Sequence, residues 1–453
     1  MYTKPTARTN QQSMLFDLEC QLNQKHPLYL LANKIDWNAF EEAFKGLYCA
    51  NNGRPCKPIR RMVGLLILKH VRNVSDESVV EQWQENIYYQ YFCGEQTIQA
   101  CAPCTPTELV EFRKRIGEKG VELILKESVR VNDDHDDIDK SFIDSTVQEK
   151  NITFPTDAKL TKKIINRCLK INAKLGLPMR QSYKREMKGL ARDQRFRNHP
   201  RNRKKALKAD RRMKTIAGRL VRELERNLAK AGLLGDFAEE LELYYKVLAQ
   251  QKGDKNKIYS LHEPEVECIS KGKEHKKYEF GNKVSVVRTW GGLIIGALSF
   301  RNEYDGHTID KSLDQVERLV GRRPKLLAGD RGYRGQKQSG STEVTIPDVP
   351  KAGDTYYMKR KKHKLFCKRA GIEPVIGHLK ANHRLCRNYY AGIFGDNINV
   401  MLAAAAFNFK RAKRTLFALL RRLFSLPFYI ILYEPPHWLQ PRHAPAVAPT
   451  WGF

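Results

Sequence analysis

Ser141-Phe142-Ile143-Asp144-Ser145-Thr146-Val147 and Lys325-Leu326-Leu327-Ala328-Gly329-Asp330 decide how this chain is read. Both are short apolar runs of the kind that form strands, and each carries one carboxylate. Asp330 ends its run just before Arg331-Gly332-Tyr333-Arg334-Gly335, where the chain must turn sharply. If the two strands are neighbours, both aspartates emerge on one edge of a sheet. Between them, Tyr278 to Thr289 and Leu293 to Phe300 are β-rich and separated by Gly291-Gly292, a hairpin signal. A helix from Thr308, with Leu313, Val316, Leu319 and Val320 on its stripe, leads into the Asp330 strand. Ile258 to Leu261 is expected to form a short strand, and a weak strand is expected at Val344 to Ile346 or near Tyr356 to Met358. Two long helices follow, at about Phe366 to Cys386 and Ile398 to Phe424. Strands alternating with helices in this order predict a mixed α/β layer, one sheet flanked by helices.

Upstream, residues 38 to about 130 carry helical periodicity. Met62, Val63, Leu66, Ile67 and Val71 mark one helix, and Val79, Trp83, Ile87 and Tyr91 mark the next after a link at Asn73 to Ser75. Two helices so closely joined suit a helix-turn-helix, with Arg54, Lys57, Arg60, Arg61, Lys69 and Arg72 as phosphate partners, or an ordinary helical hairpin. Thr105-Pro106-Thr107-Glu108 has the capping-box spacing and starts a third helix carrying Leu109, Phe112, Ile116 and Leu123.

The chain has 453 residues, with 81 Lys+Arg against 50 Asp+Glu and a net charge of +31. So large a positive charge needs an acidic partner, and nucleic acid is the commonest polyanion. Residues 151 to 230 hold 25 Lys+Arg and 6 Asp+Glu, or +19 of that total. The segment is helical, and Arg201, Arg203, Lys204 and Lys205 are candidate DNA contacts; the plain alternative is a flexible basic linker. With 41% apolar residues the chain can build cores, which excludes wholesale disorder. Ten scattered cysteines do not make a disulfide scaffold. Met1 to Ser13 are polar, and Leu423 to Tyr433 is too short to span a bilayer of about 30 Å, so a soluble cytoplasmic, nucleoid-associated protein is expected.

Glu373 joins the two aspartates as a third acid. Phe366, Arg369, Glu373 and Lys380 fall at offsets that share one face of a helix, although Pro374 argues for a start or kink nearby. Three converging carboxylates raise one another's pKa unless a divalent cation balances them, and Mg2+ or Mn2+ suits an all-oxygen set. A pair of such ions clamps the attacking and leaving oxygens of a phosphodiester displacement. Arg369, Lys380, Arg331 and Arg334 would then hold phosphates. The alternative is that each acid is a surface group in an ordinary ion pair.

These three segments, with Ile-Glu373-Pro-Val-Ile-Gly-His-Leu-Lys380 as the third, resemble the motifs of bacterial insertion-sequence transposases of the DDE class, in the group numbered five. The resemblance runs from about residue 38 to 415. It implies a ribonuclease-H-like catalytic domain in which Asp144, Asp330 and Glu373 hold two magnesium ions. It also implies an N-terminal helical domain that binds the element's inverted repeats. In that family a tyrosine precedes the arginine, glutamate and lysine represented here by Arg369, Glu373 and Lys380; Phe366 stands at its position. The organisation expected is an arm at 1–37, a helical DNA-binding domain at 38–132, and a catalytic domain at 140–155 and 254–390. A basic helical insertion occupies 156–253, a C-terminal helix 391–425, and an irregular tail 426–453.

The expected activity is cleavage of double-stranded DNA at inverted-repeat ends and strand transfer to target DNA, by a homodimer and without a membrane partner. A catalytically inactive DNA-binding protein and a structure-specific nuclease are the rivals. Cys101 and Cys104 have metal-ligand spacing but lack a second pair, so free thiols are expected. Asp133 to Asp139 lacks the glycine and terminal glutamate of a calcium loop and is read as a solvated connector. His378 and His383 are read as DNA-facing or structural, and Trp290 and Tyr333 as core residues or base-stacking ones.

Overall fold

A computed structural model describes residues 17–49, 55–132, 138–251, 253–270, 277–347 and 353–431. Arg54, the acidic run Asp133 to Asp137 and the tail from residue 432 lie outside the described residues. Two compact units emerge, one from Met1–Leu65, Glu77–Pro106 and Phe409–Phe453, the other from Leu66–Asp76 and Thr107–Asn408.

Capping side chains set the first helices. Asp17 caps α1 (Leu18–Gln21), His26 with Pro27 starts α2 (Pro27–Lys34), and Asp36 accepts two amides at the head of α3 (Trp37–Lys45). Next come α4 (Ile59–Arg72), α5 (Asp76–Glu85) and α6 (Ile87–Phe92), the last capped by Asn86. Every residue from Met62 to Val71 is buried, so α4 is a core helix. Residues read as an arm include α1 and α2, whose Leu18, Leu22 and Tyr29 pack with Ile87, Tyr88 and Tyr91. The Tyr29 and Tyr91 rings stack 4.7 Å apart.

The second unit begins with α7 (Pro106–Arg130), which Gly117 interrupts at φ 67°. The break shifts the helical phase, so Val121, Ile124 and Leu125 are buried beyond it and Leu123 is only half-buried. Then come β1 (Lys140–Lys150), α8 (Asp157–Lys174), α9 (Lys184–Asp193), α10 (Pro200–Lys230) and α11 (Ala238–Ala249). These four helices share their own apolar core, with Ile164 and Cys168 of α8, Ile216, Leu220 and Leu224 of α10, and Tyr244 of α11. The basic insertion is therefore a packed bundle, and the flexible-linker alternative is set aside.

The chain continues through β2 (Glu267–Ser270), β3 (Tyr278–Thr289), β4 (Ile294–Phe300), α12 (Ile309–Val320) and β5 (Leu326–Ala328). It ends with β6 (Gln338–Ser339), β7 (Thr342–Thr345), α13 (Tyr356–Ala370), α14 (Ile372–Asn382), β8 (Arg387–Asn388) and α15 (Gly392–Ile431). The fold is mixed α/β. β3 pairs antiparallel with β1 on one side and with β2 and β4 on the other; β5 is parallel to β1, and β7 is parallel to β5. Apolar residues of β1, β3, β4 and β5 close on Leu313 and Val316 of α12.

Some local expectations change. Ile258 to Leu261 is not a strand; the edge strand is β2, too short and polar to show a period. Of the two alternatives near residue 350, the strand is β7, and Tyr356 to Met358 open a helix because the Thr355 side chain accepts the Met358 amide. The expected helix Phe366 to Cys386 is two helices meeting at Gly371. α15 runs to Ile431, past the expected end of the C-terminal helix at 425; the rest of the expected tail lies outside the described residues.

Asp76 anchors a buried network. It accepts from both Arg113 Nη atoms at 3.0 and 3.1 Å and pairs with Lys69 at 2.8 Å, while Lys69 also donates to the Tyr390 hydroxyl at 3.0 Å. Burial pushes the Asp76 carboxyl up, but Arg113 and Lys69 together overturn this and lower its pKa from 3.8 to about 2. A depressed pKa contributes stability above the unfolded value and loses it as pH falls through the folded one. The shift corresponds to about 2 kcal/mol. Asp76→Asn should therefore lose at least that much at neutral pH, and its deficit against the parent should close between pH 3.8 and about 2 in thermal unfolding curves.

Candidate catalytic carboxylates and their cation

Asp144, within β1, stands level with Asp330, which lies just past the end of the neighbouring β5. Phe142 is the register partner of Ala328 in the parallel β1–β5 pair, and each aspartate lies two residues further on. Asp144 is buried and its Oδ1 accepts the Ser145 amide at 2.8 Å. Asp330 caps the turn Arg331–Tyr333, its Oδ1 accepting the Gly332 amide at 2.8 Å. One guanidinium faces both: Arg369 Nη2 lies 2.9 Å from Asp144 Oδ2 and 3.8 Å from Asp330 Oδ2. Arg369 Nε is buried with no hydrogen-bond partner among the described residues. The pair thus already attracts a cation, and that cation keeps one donor open.

Glu373 is exposed in the first turn of α14. The residue before it, Ile372, packs against Phe142 and Ala328, the two strand residues beneath the aspartates. The side chain itself does not join them: among the described residues, no three His, Cys, Asp or Glu side chains are grouped closely enough to hold a metal ion. The break at Gly371 is the reason. Arg369 belongs to the last turn of α13 and Glu373 to the first of α14, so Phe366, Arg369, Glu373 and Lys380 do not share one continuous helical face.

Arg331 and Arg334 are exposed beside the Asp330 turn, and Lys380 is half-buried near the end of α14. Lys57 is half-buried just ahead of α4. Arg60 and Arg61 serve their own unit. Arg60 donates to the carbonyls of Tyr91 and Phe92 and lies over the Trp37 ring, while Arg61 pairs with Glu95 at 2.6 Å. Arg201, Arg203, Lys204 and Lys205 are exposed on the first turns of α10, and Lys205 pairs with Asp193 at 3.0 Å. Tyr333 is fully buried and cannot stack on a base; Trp290 packs on Phe142. His383 is buried with Nδ1 3.0 Å from the His70 carbonyl, whereas His378 is exposed.

Asp305, Gly332, Tyr333 and Arg288 also belong to this site. Asp305 accepts from Ser145 Oγ at 3.2 Å and Lys283 Nζ at 3.1 Å. A Cβ added at Gly332 would lie 2.9 Å from Asp330 Oδ1 and 3.3 Å from Asp305 Oδ2, so only glycine lets these carboxylates approach the turn. Burial first, then the Asp305 and Asp144 charges, pushes the Tyr333 hydroxyl well above its usual pKa and keeps it neutral beneath them. Arg288, buried in β3, donates to the Lys368 carbonyl and so clamps the end of α13 that carries Arg369. In sequence, Asp305 is one acid in a turn and Arg288 one polar position in a strand, so neither gives a signal.

Residues 16–115 match the family described as Transposase domain (DUF772). The chain is 41% identical over 179 residues to a Rhizobium meliloti protein described as "Uncharacterized protein ORF8 in nfe locus", covering 38% of this chain and 86% of that one. No solved structure matches. Among the described residues, no helix is long and apolar enough to cross a membrane.

Proposed function

The chain belongs to the family of the Rhizobium meliloti ORF8 protein and carries a transposase domain, and from there we propose that it is a DDE-class transposase of the insertion-sequence group numbered five. It cuts double-stranded DNA at the inverted-repeat ends of its element and joins the freed 3′-hydroxyl to target DNA. The observation that carries this reading is the pairing of Asp144, inside β1, with Asp330, just past the end of the adjacent parallel β5, across one guanidinium. The strand order β4-β3-β1-β5-β7, antiparallel on one side of β1 and parallel on the other, supports a ribonuclease-H-like domain. The helical insertion after β1 supports it too.

The donor chemistry of Asp144 and Asp330 suits a hard divalent cation, since both offer carboxylate oxygens and a positive group already sits between them, while Glu373 does not reach this pair. Two Mg2+ or Mn2+ ions held by Asp144, Asp330 and Glu373 would supply an activated water and charge neutralisation at the scissile phosphate. Arg369, Lys380, Arg331 and Arg334 would hold backbone phosphates around the scissile bond. Hydrolysis leaves a 3′-hydroxyl and a 5′-phosphate. Transfer then exchanges one phosphodiester for another, so no Ser or Tyr nucleophile is required. Work on two DNA ends calls for a homodimer.

The test is strand cleavage and strand transfer by the purified chain with Mg2+ or Mn2+, on duplexes carrying the repeats that flank its reading frame. End-specific nicks followed by joined products are expected. Binding without cleavage would make it a non-catalytic DNA-binding protein, and cleavage indifferent to the repeats and without joining would make it a nuclease.

A further inference from the structure

The longest helix of the insertion, α10, leaves one face bare. Lys204, Lys208, Arg211, Arg219, Arg222 and Arg226 are all exposed. At about 3.6 residues per turn they fall within an arc of about 80°, opposite the stripe of Met213, Ile216, Leu220 and Leu224 that enters the bundle core. At about 1.5 Å per residue the ridge is about 33 Å long. None of the six lies within ion-pair distance of a carboxylate among the described residues.

Some cations of the bundle are neutralised, Arg167 by Glu240, Arg197 by Asp210 and Arg212 by Glu186, while others such as Lys162, Lys170 and Lys214 are exposed off the ridge. The acids of α10 are engaged away from the ridge as well. Asp210 accepts from Gln194 and Arg197, Glu223 accepts the Arg180 amide, and Glu225 accepts from the Tyr245 hydroxyl. Lys204, Lys208 and Arg211, and again Arg219, Arg222 and Arg226, are like charges at three- and four-residue spacing, which destabilise a helix and which an external anion would offset. A length of about 33 Å spans about ten base pairs at about 3.4 Å each. The ridge has no aromatic side chain, which argues against single strands, whose bases are held by stacking.

We infer that the exposed face of α10 is a sequence-independent rail for the phosphate backbone of duplex DNA outside the cleavage site. This rests on the DNA-acting reading above but not on its catalytic step. The expected readout is the salt dependence of binding by the full chain to a labelled duplex that lacks the element's ends. Each phosphate contact contributes about 0.9 to the slope of log K against log salt. The quadruple variant K204Q/K208Q/R211Q/R222Q should therefore be shallower than the parent by about 3.6. Over a fourfold rise in KCl the parent should lose about 150-fold more affinity than this variant. R167Q/R197Q/R212Q, which removes paired cations, should keep the parent slope, and K204R/K208R should keep it too. A quadruple variant with native circular dichroism and the parent slope overturns the rail. So does an equal loss of slope on single-stranded DNA of the same length. A parent without any cleavage activity removes the transposase reading while leaving the slope prediction standing.

Discussion

Asp144→Asn is expected to slow metal-dependent strand cleavage by on the order of 10³-fold while leaving DNA affinity within about twofold. Asparagine keeps the shape of the side chain and one carbonyl oxygen but removes the negative charge. In the resting protein that charge pairs with Arg369 at 2.9 Å, and in the proposed active state it helps hold two divalent ions. Affinity is spared because phosphate contacts come from cations on other elements. Single-turnover cleavage with Mg2+ and with Mn2+, beside a binding isotherm, reads both quantities. Cleavage by the variant within tenfold of the parent would remove Asp144 from the chemistry.

The strands that carry the two aspartates were legible because β1 and β5 are apolar runs that carry or end beside acids, and β3 and β4 because a double glycine separates two β-rich segments. A single strand and its side-chain period are local properties. The pairing that makes Asp144 and Asp330 neighbours was stated as a condition, and the Phe142–Ala328 register meets it. What could not be seen was which cation the pair attracts. Arg369 was read as a phosphate ligand, yet its Nη2 rests on carboxylates 225 and 39 residues away in sequence, because Arg288 fixes the end of its helix. Pro374 does mark a helix start nearby: α14 begins two residues before it, and proline in a first helical turn is tolerated. Edge strand β2 stayed hidden for a simpler reason: its four residues are half-buried or exposed, so burial imposes no alternation on them.

Lys150→Met is expected to destabilise the sheet by about 3 to 5 kcal/mol, the cost of breaking a buried ion pair from one side. Lys150 ends β1 and is 2% exposed; its ammonium lies 2.7 Å from Asp396 Oδ1, which belongs to a fully buried side chain, and 3.5 Å from Glu263. It also donates to the carbonyls of Tyr390 and Gly392 at 2.9 and 3.0 Å. Methionine fills the same volume, so the loss is electrostatic rather than a cavity. Asp396 would retain Arg301 and the Asn388 amide at 2.8 Å, which places the effect nearer the lower figure. The same lysine joins β1 to the segment that begins α15, so the transition that unfolds the sheet should move to lower urea with its slope unchanged. Two compact units need not unfold together, so amide exchange of β1 residues 142–148 is the sharper measurement. Protection there should fall by about two to three orders of magnitude, the same free energy expressed as a rate. A loss below about tenfold would mean that Arg301 alone suffices to hold Asp396.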